Sequence, residues 1–222
     1  MRLLDLFCGA GGAAMGYHQA GFTEIVGVDI EPQPNYPFDF VEGDALDWNF
    51  LYLSNKPWDL IHASPPCQAY SRQGDHGNRD KYPNLIAPTR QLLEPLGVPY
   101  VIENVPGAPL TGHVIELCGS MFGLEIQRHR RFELGHFPVV LAPGCNHKAW
   151  KAGRPHTITG HADGTLRPDA RHSMGFRDTA HAAELMEMPW ATRTSEIVEA
   201  IPPAYTKYIG EQFLLLQETE EE

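Results

Sequence analysis

The sequence predicts an α/β domain built on a doubly wound, mostly parallel sheet. Short, near-continuously apolar runs recur through the first 135 residues, as strands buried on both faces require. Helical or glycine-rich segments separate them, which is the alternation of parallel βαβ units. Several runs end in acidic or reactive residues, at the edge where open α/β sheets bind ligands.

The elements follow in order. Arg2–Phe7 reads as a buried strand. Gly9-Ala10-Gly11-Gly12 turns into a helix over Ala13–Ala20, which Gly21 caps. Glu24–Asp29 is a second strand, Phe38–Asp44 a short third and Asp59–Ser64 a fourth. Asn84–Leu96 has helical character, with Pro88 tolerated in its first turn. Tyr100–Val105 is a fifth strand, apolar until Glu103. Val114–Phe122 fits either helix or strand, and Arg128–Leu134 alternates weakly, as an edge strand does. From His136 to about Asp178, Gly, Pro and His dominate without a long periodic run. Ala180–Met188 and Ala204–Gln217 are helical again; in the second, Tyr205, Tyr208, Ile209, Phe213 and Leu216 form a core-facing stripe. The expected division is a main domain over 1–135, an insert over 136–178 and helices over 179–222 that return to the main domain.

A chain of 222 residues suits one domain plus a small insert, and 42% hydrophobic with 20% charged residues indicates a globular, soluble class. Cys8, Cys67, Cys118 and Cys145 form no CxxC, which argues against a disulfide scaffold and for a reducing, cytoplasmic setting. An aspartate at position 5 comes too early for a signal peptide, and no run of 18 apolar residues predicts a membrane span. The net charge of −11 is unevenly spread. Residues 127–177 hold nine basic and three acidic side chains, net +6, against eight basic and 25 acidic, net −17, elsewhere. A basic segment on an acidic body can hold and orient a polyanion.

The chemistry starts at Ala63-Ser64-Pro65-Pro66-Cys67-Gln68-Ala69, directly after the fourth strand. The prolines fix φ and hold Cys67 in an extended loop at the ligand edge. Such a thiol is either a presented nucleophile or a small buried hydrophobe. The glycine loop fits GxGxxA, and Asp29, 20 residues past Gly9, ends the second strand where a carboxylate accepts from ribose hydroxyls. Asp44, after Gly43, could accept from an adenine amino group. Together these describe a nucleoside pocket that suits either NAD or S-adenosylmethionine.

Phe7-Cys8-Gly9-Ala10-Gly11-Gly12, Pro66-Cys67-Gln68 and Glu103-Asn104-Val105, in this order and spacing, resemble the cytosine-5 DNA methyltransferases over most of residues 1–135 and more weakly over 179–210. The resemblance implies a Rossmann-like methyltransferase sheet, with the insert as a small target-recognition unit. It implies S-adenosylmethionine held by Phe7, Gly9, Gly11, Gly12, Asp29, Ile30, Asp44 and Pro66. It implies Cys67 as nucleophile, Glu103 and Arg131 as its catalytic partners, and Gln68, Asn104, Gln127 and His129 on the substrate side. The family's Gln-x-Arg-x-Arg meets Gln127-Arg128-His129-Arg130-Arg131: Gln127 and Arg131 match, His129 stands in place of the first arginine, and a small register change would let Arg128 or Arg130 substitute. Its Gly-Asn-Ala-Val-Pro-Pro meets Val198-Glu199-Ala200-Ile201-Pro202-Pro203, with Glu199 in place of asparagine.

The implied reaction is methyl transfer to carbon 5 of a cytosine flipped out of DNA, by a monomer. Thiolate addition at carbon 6 makes carbon 5 nucleophilic, and loss of its proton later expels the thiol. Three rivals stand beside this: the same chemistry on RNA or a free nucleotide, an idle DNA-binding relative, and an NAD oxidoreductase, for which no hydride-transfer partner is evident. Cys145, His147, His156, His161 and His172 raise the question of zinc, but their spacing fits no standard pattern. They are therefore expected to be loop and DNA-contacting side chains, with no metal.

Overall fold

A computed structural model describes residues 1–47, 49, 57–70, 82–149, 155–158 and 175–220. The strands are β1 (Arg2–Leu6), β2 (Glu24–Asp29), β3 (Asp39–Glu42), β4 (Leu60–Ala63), β5 (Tyr100–Asn104), β6 (His113–Leu117) and β7 (Arg130–Gly135). The helices are α1 (Gly12–Ala20), α2 (Ile86–Leu93), α3 (Thr179–Leu185), α4 (Thr194–Glu199) and α5 (Pro203–Glu220). One sheet has the order β3-β2-β1-β4-β5-β7-β6. β1 to β5 are parallel, and β7 runs antiparallel to both β5 and β6.

β7 is therefore an interior strand, which corrects the edge-strand expectation. Its weak alternation has a physical cause: Phe132, Glu133 and Leu134 are all buried, and Glu133 is neutralised by Arg90 at 2.6 and 2.7 Å. Val114–Phe122 resolves into β6 and a short 3-10 turn at Gly119–Met121. Pro88 lies in the first turn of α2, where its missing N–H costs no helical bond. α4 had no sequence signal, because six residues are too few for a helical period to show.

The sheet is covered on both faces. Leu3 packs with Tyr17, Phe22, Tyr205, Ile209 and Phe213 under α1 and α5, while Leu4 and Leu6 pack with Ile86 and Leu93 of α2. Successive residues of β1 thus serve opposite cores, as period-two geometry requires. α5 lies along α1, so the last helix closes the face that the first one opened. Among the described residues, no helix is long and apolar enough to cross a membrane.

A polar row runs through the α1 side of the core. The Tyr36 hydroxyl donates to Asp5 Oδ2 at 3.2 Å. His62 is fully buried, with Nδ1 3.1 Å from the Tyr17 hydroxyl and Nε2 2.9 Å from Ser64 Oγ. A neutral imidazole satisfies both contacts. Burial depresses the His62 pKa from 6.5 to about 3.

Between those two pH values the unfolded chain binds a proton that the folded chain refuses. Stability from this residue is complete above the unfolded value and falls as pH drops toward the folded one, by up to about 1.4 kcal/mol per pH unit. Urea unfolding at pH 7 and pH 5 is expected to show a loss about 2 kcal/mol larger for the wild type than for His62→Asn. Equal losses would mean that this ring does not control the acid limb.

Candidate active site

The C-terminal ends of β1, β2, β4 and β5 open into one cleft of about 420 Å³, within the usual range of small-ligand sites. Phe7, Gly9, Gly12, Asp29, Ile30, Pro66, Cys67, Gln68 and Glu103 all line it. The parallel register brings them together, because β1 pairs with both β2 and β4, and β4 with β5.

The glycine loop forms the floor. Gly9 has φ +48, and a Cβ built there meets nothing within 4 Å, so a side chain would occupy free space beside the loop. Its N–H donates to Asp29 Oδ2 at 2.9 Å, and Asp29 Oδ1 accepts from Glu31 N at 3.0 Å. Gly12 is required for a different reason: a Cβ would stand 2.3 Å from the Ile201 carbonyl oxygen. Trp190 Nε1 donates to the Ala10 carbonyl at 2.8 Å, tying the C-terminal segment to the loop. Ile30 stays 67% exposed on the rim, an apolar surface suited to a flat base.

Cys67 lines the same cleft, on the loop that follows β4. Asn104 Nδ2 donates to the Pro65 carbonyl at 2.8 Å, and its Oδ1 accepts from Val105 N at 3.0 Å. Asn104 is therefore a buried clasp on the Pro-Pro loop, not a substrate-facing group as the sequence suggested. Burial pushes the Cys67 thiol above its ordinary pKa, while Arg130 draws it down and Glu103 opposes Arg130. Cys8 lines the same cleft, but burial and then Asp5 and Asp29 hold its thiol protonated. Of these two cleft cysteines, Cys67 is the one influenced by cations, Arg130 and Arg128.

Glu103 is buried at the end of β5. Its Oε1 lies 3.1 Å from Arg130 Nε, off the N–H axis, so that this enclosed oxygen has no aligned hydrogen bond. Burial raises its pKa, against the pull of Arg130, Arg128 and Ser64. Gln68 Oε1, also on the cleft wall, is likewise buried and has no hydrogen-bond partner among the described residues.

The cleft takes Arg130 where the sequence pointed to Arg131. Arg130 lines the cleft and pairs with Glu103, whereas Arg131 is not among the lining residues. Adjacent residues of a strand face opposite sides, so a one-residue error in register selects the wrong arginine. Shifting the Gln-x-Arg-x-Arg pattern by one places Arg128 and Arg130 on its arginines and Ile126 on its glutamine. Arg128 is buried and donates to the carbonyls of Ile158 at 2.7 Å, Val198 at 2.7 Å and Ala200 at 2.6 Å. Burial lowers its pKa to about 9, which leaves it charged at neutral pH.

Other expected contacts fall elsewhere. Asp44 caps the turn after β3 by accepting from Leu46 N at 3.0 Å and does not line the cleft. Gly11 is turned toward Tyr36 and Pro37. Gln127 is exposed, with its N–H on the His156 carbonyl at 3.0 Å. His129 turns toward Cys145, at 3.4 Å. Lys151, Arg154, His161, Arg167, Arg171 and His172 lie outside the described residues. Sequence reasoning missed the far rim, where Arg193, Glu196 and Glu199 complete the cleft. Glu199, read above only as a lost asparagine, faces Asp29, and burial followed by Asp29 raises its pKa.

Replacing Arg128 by Met strands three backbone carbonyls and is expected to cost about 3 kcal/mol or more. Arg128→Lys should recover only part of this, since an ammonium lacks the guanidinium fork. Thermal unfolding of both variants checks the ranking; a Met variant as stable as wild type would contradict the clamp.

A family model described as C-5 cytosine-specific DNA methylase matches residues 1–113. Type II methyltransferase M.AgeI of Thalassovita gelatinovora is 30% identical over 194 residues, covering 80% of this chain and 44% of that protein. Type II methyltransferase M.AquIA of Picosynechococcus sp. is 31% identical over 123 residues, covering 48% of this chain and 49% of that protein. The chain thus spans about half or less of the length of these curated relatives. A DNA modification methyltransferase encoded within an E. coli prophage shares the fold, with TM-score 0.65 and 15% identity over 98% of this chain and 99% of that one. The S. pombe Dnmt2 methyltransferase does so with TM-score 0.65 and 13% identity, at the same coverage. With the family model covering half of the sequence and the glycine loop, Pro-Pro-Cys loop and Glu103 strand end lining one cleft, this chain belongs to the C-5 cytosine-specific DNA methylase family.

Proposed function

We propose that the chain transfers a methyl group from S-adenosylmethionine to carbon 5 of cytosine in DNA, through a covalent adduct on Cys67. One observation carries this reading: Cys67 and the buried Glu103–Arg130 pair share a cleft with the glycine loop. The matched C-5 cytosine-specific DNA methylase model supports DNA as the substrate class.

The cleft fits the cofactor. Gly9 leaves room beside the loop, Asp29 ends β2 at the ribose position, and Ile30 offers an apolar face to an adenine. Asp29, Glu31, Glu103, Glu196 and Glu199 outnumber Arg130 and Arg193 around the cleft, which suits a ligand bearing a sulfonium and an ammonium. When bound, the cofactor supplies a sulfonium methyl for an activated carbon to take by in-line displacement.

The protein's part is to make carbon 5 of the pyrimidine nucleophilic. Cys67, as thiolate, adds to carbon 6 and breaks the ring's aromaticity. Charge then accumulates on the ring's N3 side. Glu103, whose carboxyl holds its proton more tightly than a solvated one, shares that proton with N3. Arg130, not Arg131, places positive charge beside both the sulfur and the carboxylate. Loss of the carbon-5 proton then lets the thiolate leave. The ring cannot reach Cys67 from within a duplex, so the base is flipped out or taken from a single strand.

The test is transfer of labelled methyl to DNA, with bisulfite sequencing to locate the product. Transfer to tRNA or free nucleotide in place of DNA would redirect the substrate. Cys67→Ala is expected to lower turnover by at least about 10³-fold while calorimetry still detects S-adenosylmethionine binding. Glu103→Gln should slow it by about 10²-fold.

The raised pKa of Cys67 gives a second expectation. Alkylation of Cys67 by iodoacetamide should accelerate with pH through a midpoint above the ordinary thiol range. In Arg130→Met the midpoint should move higher still, because the largest opposing influence is gone. A midpoint that stays put or falls would remove Arg130 from thiol activation.

A further inference from the structure

Four residues that the reaction does not use converge at the far end of the β6–β7 pair. β6 and β7 are antiparallel with Leu117 opposite Arg130, so Cys118 and His129 follow directly beyond the last paired residues. The segment after β7 then runs back along β6. His113 Nε2 is 3.0 Å from the Val140 carbonyl, and Asn146 N donates to Ser120 Oγ at 3.2 Å. This return carries Cys145 and His147 to the same place. Cys145 Sγ lies 3.4 Å from His129 Nε2, and Cys118 Sγ lies 3.5 Å from His147 Nε2. The two imidazoles meet edge to face at 5.2 Å, and one ligand atom from each of the four residues lies within 4.8 Å of every other.

We propose that Cys118, His129, Cys145 and His147 form a closed structural zinc site. Two thiolates balance the charge of Zn²⁺, and two sulfurs with two imidazole nitrogens make one of its commonest tetrahedral sets. A tetrahedron with Zn–S of about 2.3 Å and Zn–N of about 2.0 Å has S···N edges of about 3.5 Å, the separation found for both pairs. Four protein ligands leave no open position, so the ion holds structure and activates no water. Ser120 Oγ donates to Cys118 Sγ at 3.4 Å, the kind of outer contact that steadies a metal-bound thiolate. None of the four residues lines the cleft, so the inference is independent of the reaction proposed above.

The site answers a structural need. From His136 to Ala149 the described chain has only one short 3-10 turn, at His147–Ala149, and it exposes Val139 at 74% and Leu141 at 80%. A segment with so little core is held by a staple. Zinc joins it to the end of β6 and to the residue between Arg128 and Arg130. The His129 carbonyl in turn accepts from Arg130 Nη1 at 2.9 Å. The ion therefore fixes the backbone that presents the cleft arginine. The expectation of no metal is revised accordingly, and His129 moves from the substrate side to the ligand set.

The test is metal analysis of the purified full chain after exhaustive dialysis, with cobalt(II) substitution of the chelator-treated protein. One zinc per chain is expected, with tetrahedral cobalt bands and thiolate-to-metal charge transfer, and with two thiols that react only after chelation. Cys145→Ser and His147→Ala should each lose the metal, whereas His156→Ala, outside the cluster, should keep it. If the ligand variants fail to fold, the wild-type metal, cobalt and thiol measurements decide alone. Absence of zinc with no cobalt spectrum overturns the proposal, as does loss of two thiols to a disulfide without metal. Loss of zinc in His156→Ala would overturn the ligand set.

Discussion

The ion pair between Glu103 and Arg130 is the contact on which the cleft depends. It forms where the antiparallel β7 crosses the C-terminal end of the parallel β5. Two charges taken out of water cost several kcal/mol each, and only close pairing with further polar support offsets this. The pair is nevertheless incompletely satisfied, since Glu103 Oε1 has no aligned hydrogen bond. A fold that buries an underused carboxylate beside a presented thiol favours a ligand that completes the set. The proposed cytosine would do so.

The surrounding structure keeps that arrangement rigid. Asn104, next to Glu103, grips Pro65, so the position of the proposed nucleophile is coupled to the strand that carries the acid. Arg128, on the same face of the chain as Arg130, ties the approach to β7 to Val198 and Ala200 before α5. Trp190 reaches back to Ala10, and Asn35 Nδ2 donates to Glu196 at 3.0 Å. The C-terminal elements therefore close the glycine-loop half of the cleft as well as the core. Their contribution explains why the glycine loop packs against Ile201, in a stretch whose resemblance to the family is weak.

What was legible in the sequence was local. Parallel strands buried on both faces announce themselves as apolar runs, and the turns that end β1 and β4 carry their own residue signatures. Cys67 and Glu103 stand at strand ends, so a correct strand reading already placed them at the ligand edge. The sequence alone does not separate Arg131 from Arg130, because a period-two pattern gives no protection against a shift of one residue. Asp44 and Asn104 share the composition of binding residues, but Asp44 caps its own turn, and Asn104 clasps a loop 39 residues away, a contact no local pattern shows. The proposed ligand set was only half legible, through Cys145 and His147, and its other members Cys118 and His129 stayed hidden for a related reason. Its four members come together only through the β6–β7 register and the return of the chain along β6.

The most direct measurement is covalent trapping. DNA of random sequence carrying 5-fluorocytosine is incubated with the protein and S-adenosylmethionine, and the product is digested and mapped by mass spectrometry. Fluorine at carbon 5 blocks the final elimination, so a thiolate that has added to carbon 6 stays attached. The expected result is a methylated fluorocytosine bonded to the peptide containing Cys67, formed only when the cofactor is present. No adduct under conditions where the natural DNA is methylated, or an adduct on Cys8, Cys118 or Cys145, would contradict Cys67 as the nucleophile.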